Sequence, residues 1–228
     1  MKELRRGIIA TLPLAPGIIA FGLLYGMMAR QAGLLPWQAA LMSMMVHAGS
    51  SQFTAVGMWA TSAALPIILT TLVVNLRHLL MGATVAPYVS HLPARWKALL
   101  ALWMSDESYA LAISEYRRGS GSHLYFLGAN LGIWLVWAPS GYLGTMLGAA
   151  IPSPERYGLD LIFPLAFIGL LASVIRDRIG LAVAVGAGAL ALIVSQWLPG
   201  SGYVIVAGVL GGCLGLLLEK GRSVCGPS

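Results

Sequence analysis

The sequence predicts an all-α membrane protein, a polytopic bundle of about eight transmembrane helices (seven to eight, since one re-entrant run changes the count), some broken or re-entrant, with both termini cytoplasmic. Three observations predict it. Hydrophobic residues make up 58% of the chain and charged ones only 10%, with a mean hydropathy of +0.81. A soluble domain carries about 25% charged residues, which it needs to face water. Apolar runs near bilayer-crossing length recur eight times, at roughly 8–29, 36–60, 65–88, 97–115, 124–149, 159–176, 179–198 and 202–218. Glycine, at 28 of 228 residues, exceeds the average of about 7%, as it does where membrane helices pack closely. The connectors are too short for a second domain, so residues 1–228 read as one transmembrane domain.

Charge placement supplies the orientation and excludes one function class. The net charge is +6, but Lys and Arg sit in connectors and tails rather than on a patch interleaved with aromatics, so nucleic acid is not the partner. With the amino terminus in the cytoplasm, nine cationic residues fall inside: Lys2, Arg5, Arg6, Arg117, Arg118, Arg176, Arg178, Lys220 and Arg222. Four fall outside, Arg30, Arg95, Lys97 and Arg156, and Arg77 lies within a run. Cytoplasmic excess of Lys and Arg is the usual bias, and it puts both termini inside. Two cysteines, Cys213 in the last run and Cys225 in the tail, give neither a disulfide framework nor a metal-type spacing.

The first run follows Lys2, Arg5 and Arg6 as a signal peptide would, but Pro13 and Pro16 inside it and the lack of a small-x-small cleavage site make it a membrane helix. Those prolines each remove a backbone donor and predict a kink. Gly22-x-x-x-Gly26 beyond them predicts a close packing face. The second run, from Pro36, is interrupted by His47-Ala48-Gly49-Ser50-Ser51-Gln52. His47 and Ser51 share a helical face, and Gly49 is a place for the helix to open and present the amides of Ser50 to Gln52 toward an anion. The third run embeds Asn75, Arg77 and His78. A mid-membrane Arg costs roughly 2.5–3.5 kcal/mol on insertion scales and therefore faces a bundle interior or a watery cavity. Asn75 and His78 share a face; Arg77 and His78, as neighbours, point about 100° apart. The fourth run offers the counter-charge in Asp106 and Glu107, one of which pairs with Arg77 while the other is left for substrate or a proton.

The second half is quieter. Gly128-x-x-x-Gly132, Gly144-x-x-x-Gly148 and Gly211-x-x-x-Gly215 predict further close crossings, and Asn130 is the main embedded polar side chain. Trp197 and Tyr203, near run ends, fit interfacial positions, while Trp134, Trp137 and Tyr142 fit either interface or packing. Glu155 and Asp160 lie in or beside a connector, where solvation explains them.

Taken together, Pro13, Gly17, Ala20-Phe21-Gly22, then Ala48-Gly49-Ser50-Ser51-Gln52, Asn75-Leu76-Arg77-His78 and Asp106-Glu107 resemble the AzlC/YgaZ family of branched-chain amino-acid permeases. The similarity spans nearly the whole chain and is strongest over 13–110; the carboxy-terminal third departs into generic Gly/Ala/Leu helices. The resemblance implies a multi-pass protein of the bacterial inner membrane. It further implies export of valine, leucine and isoleucine, with methionine as a further candidate, together with a small AzlD-type membrane subunit that this chain does not contain.

The residues fit that expectation. A zwitterionic aliphatic amino acid needs a cation or helix amino end for its carboxylate, a carboxylate or carbonyl for its ammonium, and an apolar pocket. Gly17, Gly49, Ser50, Ser51, Gln52, Asn75 and Arg77 are the candidate substrate-binding residues, and His78, Asp106 and Glu107 the candidates for ion or proton coupling. No nucleotide-binding motif and no cofactor signature is present, so an ion gradient, protons by preference, is the expected energy source. The rivals are a membrane-embedded enzyme using His47, His78 and the two carboxylates, which lacks a His-Glu-x-x-His spacing, and a passive small-solute channel. The sequence leaves the oligomeric state open, a homo-oligomer included.

Overall fold

In the computed structural model the described residues are 1–150, 177–197 and 202–224, together with 168, 172 and 175. They are helical, with no strand among them. The helices are α1 (Lys2–Ala10), α2 (Ala15–Gln31), α3 (Pro36–Met45), α4 (Gly49–Met58), α5 (Ala64–Asn75), α6 (Arg77–Val89), α7 (Ala94–Leu102), α8 (Asp106–Arg117), α9 (His123–Ala149), α10 (Arg178–Ser195) and α11 (Gly202–Val224). They overlie seven of the eight apolar runs. The run at 159–176 lies almost wholly outside the described residues, as do Glu155, Arg156, Asp160, Arg176 and Cys225.

The first run is interrupted by a 3-10 turn, Leu12–Leu14, between α1 and α2. This is where Pro13 and Pro16 withdraw backbone donors, and the Thr11 hydroxyl donates to the Ile8 carbonyl at 2.7 Å beside the break. The second, third and fourth runs are each split into two shorter helices. Val46 and Ala48 are extended between α3 and α4, Leu76 alone separates α5 from α6, and 103–105 separate α7 from α8. Ser105 caps α8 by accepting from the Ser108 amide at 3.3 Å, while the Ser108 hydroxyl accepts from the Ser105 amide at 2.9 Å. Gly33 and Gly119, at φ of 88° and 76°, sit just past the ends of α2 and α8 in the left-handed backbone that stops a helix.

The long α9 is the strut, packing along α1 and α2 and against α3, α7 and α8. The glycine faces make this possible. A β-carbon on Gly26 would run into the Gly141 carbonyl, and one on Gly144 into the Leu23 carbonyl, so the backbones touch there. Gly211 likewise abuts Ala187, joining α11 to α10. Asn130, fully buried in α9, donates to the Leu100 carbonyl at 3.1 Å and so takes up one of the acceptors that the end of α7 leaves free.

Three helical stretches, 2–31, 64–89 and 178–195, are long and apolar enough to cross a membrane by length and composition. The second run fails that test because its break leaves two ten-residue pieces. Large apolar side chains line the outside: Leu79, Leu80, Leu192 and Trp197 are among the most exposed, and α10 buries none of its residues. Such surface is unfavourable in water and suits contact with lipid or protein. Trp137, in contrast, is buried and packs in the core.

At one end, Arg6 of α1 pairs with Glu115 of α8, which also lies 3.6 Å from Arg118 and accepts from the Ser120 hydroxyl at 2.9 Å. The two stretches that the charge count assigns to one side of the membrane thus meet.

Candidate functional site

The breaks between α3 and α4, α5 and α6, and α7 and α8 bring three helix beginnings together. Arg77, the first residue of α6, reaches Asp106, the first residue of α8, at 2.8 Å, and donates to the hydroxyl of Ser50, in the first turn of α4, at 2.6 Å. The carboxylate that pairs with Arg77 is therefore Asp106; Glu107, one residue on, is exposed. Asn75, the last residue of α5, donates to the Ser51 hydroxyl at 3.1 Å. The His78 Nδ1 lies 3.3 Å from the Asn75 carbonyl. Ser50, Ser51, Asn75, Arg77, His78 and Asp106, drawn from three separate runs, form one cluster.

Its electrostatics follow from this placement. The first helical bond of α4 runs from the Gln52 amide to the Ala48 carbonyl at 3.0 Å, so helix geometry leaves the amides ahead of it without an acceptor in their own helix. That end carries partial positive charge, and the guanidinium adds a full one beside it. The side chains of Arg77 and Asp106 keep 35% and 47% of their surface accessible. An ion pair this open does not face hydrocarbon cheaply, so the open side belongs to water, solute or another protein surface. Arg77 Nε and Asn75 Oδ1 are buried without hydrogen-bond partners, which gives an incoming solute one more donor and one more acceptor.

Behind the cluster is a rigid wall. Gln52 is fully buried; its amide donates to Ser43 at 3.0 Å and its carbonyl accepts from the Trp137 indole at 2.8 Å. Both ends of this side chain are engaged within the protein, tying α4 to α3 and α9 across the break. The Trp137 ring stacks on Tyr25, with centroids 5.9 Å apart, and meets Phe53 edge-on at 6.4 Å. It also covers Gly49, where a β-carbon would lie 3.1 Å from the ring. Gly49 thus opens α4 where the indole leaves little room for a side chain. Gly17 stands apart on an exposed turn of α2, with open space where a β-carbon would be.

Sequence reasoning passed over Ser43 and Glu115 and left Trp137 without a role. Ser43 and Trp137 act through Gln52, from positions 9 and 85 residues away. Glu115 pairs with a residue 109 positions away; its only local signal is Arg118 three residues later.

Comparison with known proteins bears on what this cluster serves. The sequence profile of the family described as AzlC protein matches residues 13–151. The inner membrane protein YgaZ of Escherichia coli is 28% identical over 218 residues, 92% of this chain and 87% of its own length. An uncharacterized membrane protein of Archaeoglobus fulgidus is 27% identical over 190 residues, covering 82% of this chain and 83% of its own. A protein of Bacillus subtilis named branched-chain amino acid transport protein AzlC is 27% identical over 163 residues, 69% of this chain and 62% of its own. No solved structure matches the chain.

Proposed function

The chain belongs to the AzlC family of membrane proteins, and from that membership we propose that it is a secondary active exporter of branched-chain amino acids whose substrate sits at the Arg77 cluster. The observation that carries the reading is the bridge from Ser50 through Arg77 to Asp106. It sets one cation and one anion side by side at the first turns of three helices, on the open side of a braced wall. A zwitterion presents the complementary pair. Its carboxylate goes to Arg77 and the amide end of α4, with the hydroxyls of Ser50 and Ser51 beside it. Its ammonium goes to Asp106. Broken helices with their amino ends turned to an anionic group are a recurring way for transporters to hold substrate.

The aliphatic side chain lies against apolar positions at the breaks, among them Leu76, directly before Arg77, and Met104, two residues before Asp106. Valine, leucine and isoleucine meet this requirement, and methionine does also. The transporter resides in the bacterial inner membrane with both termini in the cytoplasm. It works with a small AzlD-type membrane subunit, and the proton gradient drives export by antiport.

Counterflow in proteoliposomes tests the reading. Vesicles carrying the chain, with and without a co-expressed AzlD-type subunit, are preloaded with each of a panel of amino acids and given labelled leucine outside. Trans-stimulated uptake restricted to aliphatic amino acids is expected. Flux without trans-stimulation marks a channel, and absence of flux for every amino acid with both subunits present refutes the proposal.

A further inference from the structure

We propose that His47 is the residue at which proton and substrate compete: its neutral imidazole accepts a hydrogen bond from the substrate's ammonium, and its protonation expels the substrate. This rests on the amino-acid reading above and supplies that reading with its coupling step. His47 lies in the extended break between α3 and α4, three residues before Ser50 and four before Ser51. It is 6% exposed, and both ring nitrogens are buried without a hydrogen-bond partner. A neutral imidazole carries one donor and one acceptor, and leaving either unpaired in a buried site is unfavourable. Groups placed so, beside a cluster that binds a zwitterion, are satisfied when the zwitterion arrives.

The surrounding charges give the direction. Helices α3, α4 and α5 contribute no ionisable side chain. On α6 are Arg77 and His78, the latter within electrostatic range of His47. On α8 are Asp106, committed to Arg77, and the exposed Glu107. On α2, Tyr25 donates to the Ala39 carbonyl and Arg30 lies at the far end. The ionisable residues of α9 are engaged elsewhere or exposed: His123 meets Trp96, Tyr125 lies under Arg6, and Tyr142 faces outward. A proton on His47 therefore adds positive charge within range of His78 and removes the lone pair that the ammonium needs. The proton comes from water on one side of the membrane and leaves to water on the other, and no bond but N–H forms or breaks. Protonation from the more acidic outside releases substrate there; deprotonation in the cytoplasm lets the next molecule bind.

The test is leucine binding to the purified complex in nanodiscs, followed by calorimetry in two buffers of different ionisation enthalpy between pH 5.5 and 8. Wild-type protein is expected to release protons on binding, and its affinity to weaken toward low pH by up to about tenfold per unit. His47→Gln, which keeps a donor and an acceptor, is expected to bind leucine without proton release or pH dependence. It should lose export driven by a pH gradient. His91→Gln, at an exposed histidine outside the cluster, should keep the wild-type proton release. Proton uptake, or none, by wild-type protein overturns the proposal even where the variants fail to fold, as does proton release that survives in a monodisperse His47→Gln or His47→Asn. Wild-type protein that binds no aliphatic amino acid at any pH fails differently, because it removes the substrate reading itself.

Discussion

At the scale of single residues, Arg77 decides between a structural and a functional part, and its surroundings separate the two. Two buried charges make a pair whose disruption costs about 3–5 kcal/mol, whereas an exposed pair contributes about 0–1 kcal/mol. The Arg77–Asp106 pair keeps between a third and a half of each side chain accessible, which places it nearer the second case. Arg77→Ala is therefore expected to leave thermal stability in detergent almost unchanged. It should weaken leucine binding by roughly 10- to 150-fold, the value of about 1.5–3 kcal/mol for a hydrogen bond to a charged group. Arg77→Lys keeps the charge but loses the planar fork that spans Ser50 and Asp106 at once, so it should bind leucine only weakly better than Arg77→Ala. Thermal unfolding and binding measured on the same preparations check both statements. That an embedded arginine needs a carboxylate was legible in the sequence, because the energetic argument holds wherever the arginine points. Which carboxylate was not legible, because Asp106 and Glu107 are adjacent and the choice rests on how α8 begins. Ser105 and Ser108 settle that start with their reciprocal caps.

At the scale of elements, the apolar runs and the glycine faces were legible and the breaks only partly so. Proline marks the kink between α1 and α2, and His47–Gln52 announces the opening before α4 through its polarity and Gly49. The break at Leu76 has no such signal: Val74-Asn75-Leu76-Arg77 contains neither glycine nor proline. Gln52 illustrates a different limit. Polar and embedded, it read as a substrate ligand, yet its hydrogen bonds are spent on Ser43 and Trp137, partners that only the packed helices bring near. Gln52→Leu strands the Trp137 N–H and the Ser43 hydroxyl, at about 1–3 kcal/mol each. The expected result is a lowered unfolding temperature, with substrate selectivity unchanged in whatever folded protein remains. For the α2–α9 crossing, Gly26→Val places branched methyls where the Gly141 carbonyl lies. Overpacking of this kind costs about 1–3 kcal/mol or more. The yield of monodisperse protein should fall, while Gly17→Val, on an open turn, should leave it intact.

At the scale of the whole molecule, the charge count and the Arg6–Glu115 pair make one argument from independent premises. The count assigns the start of α1 and the end of α8 to the cytoplasm by summing cations, without reference to contacts. The pair joins Arg6 to Glu115, with Arg118 and Ser120 beside it, without reference to orientation. Both require an even number of crossings between the start of α1 and the end of α8. That follows if 2–31, 36–58, 64–89 and 94–117 each traverse the membrane once, the three broken runs included. A re-entrant hairpin in any one of them would put Arg6 and Glu115 on opposite faces, where they cannot touch. Single cysteines introduced at Ser120 and Gly33 distinguish the cases in cysteine-free protein. Ser120→Cys should react with an impermeant maleimide only from the cytoplasmic side and Gly33→Cys only from outside. Reversing the pair adds the energetic half of the test. Arg6→Glu alone sets two carboxylates together and should depress accumulation of the protein, and Arg6→Glu with Glu115→Arg should restore much of it, since a coupled pair departs from additivity. Restoration together with labelling of both cysteines from one side would contradict the four-crossing arrangement while keeping the contact, and would require the first run and one of the three broken runs both to turn back within the membrane.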